Sequence, residues 1–418
     1  MGGYYLLVIL ISLSAAFAYI NHRFIRMPFV IGLFFLSTVL SLGILVSKLW
    51  DFQYYDQIKD AIEHTDISKI VLNIMLGFML FSGSLHTQWS GIRQQLKPIG
   101  LFAFAGVFLS TLIIAGLFYF LCQLIGTPIG FIYALIFGAL ISPTDPVAVM
   151  GILTKAGVSP KIESTIVGES LFNDGVGVVV FIALLEMLKQ DAEKMDFGHF
   201  SMLFLQEAIG GIFFGLLLGF LLFRLLKSID NYGTEVLLTI AFVMAGFALC
   251  NFFNLSGALA MVIMGLFVGN YKQEKSMSDV TMGYIHNFWE LVDVILNAIL
   301  FIGIALVIVV IDYKASRLFI GCISILILLF SRIVVVYLPN LIFPKFTNIN
   351  NREAKLIVWG GLRGGLSLAL ALSLPKGEEQ QLLVIVTYIC VVFSILVQGL
   401  TIEPLSRKIR NNPVKNNI

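Results

Sequence analysis

The stretch that decides the fold is Ile141-Ser142-Pro143-Thr144-Asp145-Pro146-Val147, which interrupts an apolar segment. Proline has no backbone N–H and pushes the preceding residue out of helical geometry, so this stretch predicts a broken helix at Asp145. A second stretch reads Trp359-Gly360-Gly361-Leu362-Arg363-Gly364-Gly365-Leu366-Ser367. Its four glycines within six residues also destabilise a helix. The sequence therefore predicts two interrupted helices, each with a charged residue at its break.

The composition of the whole chain is that of a membrane protein. Of its 418 residues, 58% are hydrophobic and 12% are charged, and the mean hydropathy is +0.95. Soluble domains are about 25% charged, so the low charge indicates a lipid environment. The net charge of +2 gives no general basic field, and we expect no nucleic-acid partner. The four cysteines and five histidines lack ligand spacing, so we expect no disulfide framework, zinc site or cofactor.

About thirteen transmembrane spans are predicted from the length of the apolar segments, since about 20 residues cross a hydrocarbon core of about 30 Å. They cover residues 4–20, 28–46, 67–85, 99–123, 130–153, 163–187, 202–226, 234–252, 255–269, 284–310, 317–338, 354–374 and 381–402. With the N-terminus outside, 17 of the 27 Lys and Arg residues fall in cytoplasmic loops, at the cytoplasmic ends of spans and in the tail. We therefore expect the N-terminus outside, a transmembrane domain over 1–405, and a short basic cytoplasmic tail over 406–418.

The two interrupted segments are spans 5 and 12. They lie seven spans apart, an odd offset, so corresponding halves run in opposite directions through the membrane. This arrangement predicts two inverted six-helix repeats joined by span 7, with a substrate site near the midplane. The backbone groups freed at the breaks cannot face lipid, so the breaks must be buried in protein or line a wet cavity. The predicted fold is an all-α polytopic membrane protein with crossed, interrupted helices.

Five charged residues lie deep within the predicted spans: Asp145, Glu169, Asp174, Arg332 and Arg363. Each costs about 2.5–3.5 kcal/mol on insertion scales, so each needs a partner or a functional role. The three acids and two bases leave one negative charge uncompensated, which suits a site that takes one cation. A purely structural role of the two aspartates in capping the broken helices is the weaker interpretation.

Span 6 presents its polar groups on two neighbouring faces. Residues four apart share a helical face, so Ser170 lies with Asp174 and Glu169 lies with Asn173. A carboxylate and a hydroxyl would then lie beside the unwound strand of span 5 with its free carbonyls. Hard oxygen ligands of this kind suit a hard, partly dehydrated cation.

Three motifs now carry a resemblance: Thr144-Asp145-Pro146, Gly168-Glu169-Ser170-Leu171-Phe172-Asn173-Asp174, and Gly361-Leu362-Arg363-Gly364. Together they resemble the monovalent cation:proton antiporters, in the branch that holds bacterial NhaP-type antiporters and animal sodium/proton exchangers. The similarity extends to Phe288-Trp289-Glu290 with Asn297 and Phe301, and covers nearly the whole chain.

The resemblance implies a site for a monovalent cation and a proton, with Asp174 as the carboxylate that carries them. The remaining residues of this implied site are Asp145, Thr144, Ser170 and Asn173. It further implies that Glu169 pairs with Arg363, and that Arg332 lies near Asp145 at the helix crossing. No cofactor is implied beyond the transported ions.

One segment departs from the family pattern. Where many relatives have a glutamate near the end of span 3, this chain reads Phe81-Ser82-Gly83-Ser84-Leu85, so we expect no carboxylate ligand there. In span 10, Glu290 and Asp293 lie near the predicted cytoplasmic end. A role in a cytoplasmic funnel, or snorkelling towards the interface, is favoured over cation ligation for these two acids.

The expected function is antiport of Na⁺ or Li⁺ against H⁺ across the plasma (inner) membrane by a homodimer, for pH and sodium homeostasis. Because residue 173 is Asn rather than a second acid, we expect one proton per cation and electroneutral exchange. A K⁺/H⁺ antiporter of the same fold is the main alternative. A passive channel lacks support because the site is one asymmetric cluster. An intramembrane aspartyl hydrolase is disfavoured by the neighbouring arginines.

Overall fold

The computed structural model describes residues 3–48, 55–63, 67–145, 158–189, 197–270, 279–311 and 313–411. Within these ranges the regular structure is helical and contains no strand. Ten of the described helices are long and apolar enough to cross a membrane, and two shorter apolar helices accompany them. The interrupted span 12 completes the set, so the predicted all-α, thirteen-span architecture is confirmed.

The uninterrupted spans agree with the predicted ones to within a few residues at most of their ends. Spans 1 to 4 are Gly3–Ile20, Phe29–Ser47, Ser68–Leu85 and Leu96–Ile125. Spans 6 to 8 are Pro160–Lys189, Phe197–Leu226 and Tyr232–Phe252. Spans 9 to 11 are Gly257–Asn270, Asp279–Leu306 and Ala315–Ile342. Span 13 covers Glu378–Lys408, and its last helical segment, Gly399–Asn411, extends into the predicted tail.

Spans 5 and 12 are interrupted where the sequence predicts. The first half of span 5 is Phe131–Ile141, followed by non-helical backbone to residue 145; the predicted second half lies outside the described residues. Span 12 consists of Asn351–Trp359 and Gly365–Leu372, separated by the glycine-rich stretch. A capping box formed by Asn350 and Glu353 starts its first half, because each side chain accepts from the other's backbone N–H.

The packing of the spans follows a two-fold pattern. The contact between spans 9 and 3 corresponds to the contact between spans 2 and 10. In the same way, the contact between spans 8 and 3 corresponds to the contact between spans 1 and 10. Spans 3 and 10, 4 and 11, and 5 and 12 also contact each other. Adding seven to the number of each span in the first repeat, and subtracting seven from each span in the second, converts every one of these pairs into another contacting pair or into itself. This is the pattern that two inverted six-span repeats require.

The buried core runs through the contacts between these spans. Trp289 of span 10 is fully buried and packs edge-on against Phe81 of span 3, with ring centroids 4.7 Å apart. By contrast, large apolar side chains such as Phe213, Phe252 and Leu341 remain exposed on the outer spans. Exposed apolar side chains of this size are expected where the surrounding solvent is lipid.

A candidate cation site at the helix crossing

The two interrupted helices are joined directly, backbone to backbone. The N–H of Asp145, at the break of span 5, donates to the carbonyl oxygen of Leu362, at the break of span 12, over 2.8 Å. Breaking a helix frees donors and acceptors that cannot be left unpaired in an apolar interior. At the crossing, each break therefore supplies a backbone hydrogen-bond partner for the other. This hydrogen bond fixes the position of Asp145 in the protein interior.

Arg363 supplies the donors for the carbonyl groups at the end of the first half of span 5. Its side chain is buried, and its Nη1 donates to the carbonyl oxygens of Ser142 and Pro143, the latter over 2.9 Å. Its own backbone N–H donates to the Ser394 hydroxyl of span 13 over 2.7 Å. A guanidinium ion has five N–H donors, which suits a cluster of freed carbonyls. Arg363 therefore ties the two breaks together.

The ion pair of Glu169 corrects the expected pairing. Glu169 binds Arg332 of span 11, not Arg363, through both carboxylate oxygens; the second contact, from Nη2, measures 2.9 Å. Arg332 also donates to the carbonyl of Ile357 over 3.1 Å, so it does not serve Asp145 as expected. The physical reason is that Arg363 lies among the freed carbonyls at the break of span 5. Arg332, on an intact helix, reaches the buried carboxylate of span 6.

Thr144 is held by two side chains of span 6. Its hydroxyl lies 2.8 Å from the hydroxyl of Ser170, and it accepts from Nδ2 of Asn173 over 2.9 Å. The Thr144 backbone N–H donates to Oδ1 of Asn173 over 3.1 Å. All three residues are buried. Glu169 and Asn173 share one face of the helix Pro160–Lys189 as expected and line one small pocket. The network around Asn173 fixes the residue that precedes Asp145.

Asp174 and Asp145 lie in the wall of one cavity of about 70 Å³. This volume has room for water or a small ion. The cavity also contacts Gly83 of span 3 and Asp293 of span 10. Among the described residues, Asp174 has no hydrogen bond or ion pair, because both arginines are engaged elsewhere. The carboxylate is thus available to a proton or a cation.

Gly364 allows Asp145 to approach the start of the second half of span 12. A Cβ atom added at Gly364 would lie 2.6 Å from the Cβ and 2.7 Å from the Cγ of Asp145. Only glycine leaves room for this approach, which places the Asp145 carboxylate beside the N-terminus of helix Gly365–Leu372. The partial positive charge of a helix N-terminus stabilises a carboxylate.

The expected ligands are brought together only in part. Asp145 and Asp174 share the cavity, whereas the described lining residues do not include Thr144 or Ser170, whose hydroxyls contact each other. Ser82, at the departure from the family pattern, donates to the carbonyl of Trp289 over 2.8 Å and so links spans 3 and 10.

Asp293 lies in the cavity wall, whereas Glu290, one turn earlier in span 10, is exposed. The sequence did not predict that Asp293 lies beside Asp145 and Asp174. The available signal was the spacing of Asp293, Asn297 and Leu300, which puts a carboxylate, an amide and a cavity-lining leucine on one helical face.

Two interrupted helices that cross beside a carboxylate-lined cavity, within inverted repeats, define a secondary transporter of small ions. The sequence profile described as "Sodium/hydrogen exchanger, transmembrane" matches residues 11–408, and the chain belongs to this family. Members of the family are secondary transporters and not enzymes.

The relatives agree over nearly the full length. The chain is 43% identical over 410 residues to the Na(+)/H(+) antiporter NhaP of Pseudomonas aeruginosa, covering 96% of this chain and 95% of that protein. It is 34% identical over 382 residues to the Na(+)/H(+) antiporter NhaH of Halobacillus aidingensis, with coverages of 89% and 91%. The fold matches the sodium proton antiporter MjNhaP1 from Methanocaldococcus jannaschii with a TM-score of 0.75 and 21% identity, covering 97% and 98% of the two chains.

Proposed function

We propose that this protein exchanges Na⁺ or Li⁺ for H⁺, and that the two ions compete for Asp174. One observation carries the proposal. Asp174 lies in the cavity with Asp145 and is not held by an arginine, since Arg332 binds Glu169 and Arg363 binds backbone carbonyls. The names of the relatives, all sodium/proton antiporters, agree with this reading.

Competition at one carboxylate is sufficient to couple the two fluxes. Apolar surroundings favour the neutral, protonated form of a carboxyl group, whereas a bound cation favours the ionised form. An empty and charged site is costly to move past an apolar barrier, so only the loaded forms cross. Each crossing with a cation must then be balanced by a crossing with a proton.

Substitution of the carrier tests the proposal. An amide cannot release a proton in the working pH range, so Asp174→Asn should abolish proton movement driven by a sodium gradient. We would measure dequenching of a pH-sensitive dye in proteoliposomes with sodium, lithium and potassium. Glu186→Gln, an acid-to-amide change on the same span, is the matched control and should retain exchange. Retained exchange in Asp174→Asn would refute Asp174 as the carrier, and a preference for potassium would favour a K⁺/H⁺ antiporter.

We further propose that exchange is electroneutral, with one proton per cation. The support is that residue 173 beside Asp174 is an asparagine, and that its amide is engaged with Thr144. A membrane potential imposed with potassium and valinomycin should leave the initial exchange rate unchanged. A rate that changes with the imposed potential would contradict a stoichiometry of one to one.

The cellular setting is proposed on the charge pattern and the family. We infer a homodimer in the plasma (inner) membrane, with the N-terminus outside, residues 406–418 in the cytoplasm, and a role in pH and sodium homeostasis. The excess of Lys and Arg on one side of the spans supports the orientation. Labelling of single cysteines introduced at each end, on intact cells and inverted vesicles, tests it.

A further inference from the structure

Asp293 is a further acidic residue within the membrane-spanning bundle. It lies near the middle of the helix Asp279–Leu306 and contacts the same cavity as Asp145 and Asp174. With Glu169, the deep acids number four, against Arg332 and Arg363. Because Glu169 is paired with Arg332, the acids that contact the cavity are Asp145, Asp174 and Asp293.

Within the described part of the chain, one oxygen of the Asp293 carboxylate is left unpaired. Its Oδ1 is buried and, among the described residues, has no hydrogen-bond partner. Asn297, one turn further along the same face and 1% exposed, also has a buried Oδ1 without a partner. Its Nδ2 donates to the Asp293 carbonyl over 2.9 Å, so the orientation of the amide is fixed. Buried oxygens left unpaired cost about 1–3 kcal/mol each. Two unpaired, buried oxygens on one helical face are ligands that a cation can bind.

The spacing along span 10 shows how far Asp293 lies from the end of this helix. His286 lies seven residues earlier on span 10, so Asp293 stands about 10 Å further along the helix axis. The ring of His286 packs against that of His86, at the end of span 3, with centroids 5.0 Å apart. In the proposed orientation this histidine pair marks the cytoplasmic end of both spans. Asp293 thus lies about 10 Å further into span 10 than this histidine pair, in the wall of the cavity that it shares with Asp174.

We propose that Asp293, in the cavity wall, and the amide oxygen of Asn297, one turn further along span 10, form an accessory site for a monovalent cation. The ion would rest there on its way between the cytoplasm and Asp174. This inference rests on the proposed sodium/proton exchange and names a further residue for it. Asp293 remains on span 10 and does not carry the ion across, so the stoichiometry set by Asp174 is unchanged.

The test separates cation capture from transport. Asp293→Asn removes the charge at constant size, so the KM for sodium should rise about 3- to 10-fold while kcat changes less than about twofold, the signature of lost binding that is equal in ground and transition states. Binding of ²²Na⁺ to the purified protein should weaken by a similar factor. Asp293→Glu restores the charge and should restore the KM.

Controls make the outcome decisive. Glu290→Gln removes an exposed acid one turn earlier on the same helix and should leave the KM unchanged, which distinguishes a local site from a general surface potential. An unchanged KM in Asp293→Asn, or a loss of kcat at constant KM, would overturn the accessory site. If the wild type showed no exchange while ²²Na⁺ binding still depended on Asp293, the proposed function would fail and the site would stand.

Discussion

The pairing of Glu169 with Arg332 makes a prediction that separates the structure from the sequence-based expectation. Glu169 is 1% exposed and uses both carboxylate oxygens on the Arg332 guanidinium. Glu169→Gln leaves a buried arginine without its counter-charge, and Arg332→Met leaves a buried carboxylate without its own. The double variant removes both charges. The same cycle built with Arg363→Met in place of Arg332→Met tests the alternative pairing.

The expected magnitudes follow from burial. Removing one partner of a buried ion pair costs about 3–5 kcal/mol, whereas replacing both partners with uncharged groups is often close to neutral. Two single losses of about 3–5 kcal/mol against a nearly neutral double variant give the Glu169–Arg332 cycle a coupling free energy of about 6–10 kcal/mol. For Glu169–Arg363, which form no ion pair within 4.0 Å, we expect less than about 1 kcal/mol.

Reversible unfolding of the purified protein in mixed micelles provides the assay. Intrinsic tryptophan fluorescence, followed as the denaturing detergent is increased, gives the free energy of unfolding of each variant. A larger coupling for Glu169–Arg363 than for Glu169–Arg332 would refute the assignment, and with it the argument that Arg363 serves the carbonyls of Ser142 and Pro143.

Two further substitutions probe the crossing. Gly364→Ala should destabilise the protein by about 1–3 kcal/mol and abolish exchange, because the added methyl group meets the Asp145 carboxyl group; Gly116→Ala, with nothing within 4 Å of the added atom, is the control, and equal activities would contradict the prediction. Asn173→Ala should cost about 1–3 kcal/mol by leaving the buried Thr144 N–H unpaired. Sodium-dependent proton flux should fall with it, and an unchanged melting temperature would argue against this role of Asn173.

The sequence by itself determined the number of spans, the places of both breaks and the offset between them. These features depend on local chemistry. Hydropathy over about 20 residues decides which segments enter lipid, and proline or clustered glycine decides where a helix fails. The motifs around Asp145, Asp174 and Arg363 identified the family for the same reason, since each is a short continuous segment.

The tertiary structure decided which side chains meet. Helical spacing orders residues around one axis but leaves open the rotation and tilt of the neighbouring helix. The family resemblance implied that Glu169 pairs with Arg363, although Arg332 is the residue that faces it. For the same reason the sequence favours a funnel or interface role for Asp293 and does not predict its place beside Asp145 and Asp174. Only the packing of span 10 against its neighbouring spans brings it there.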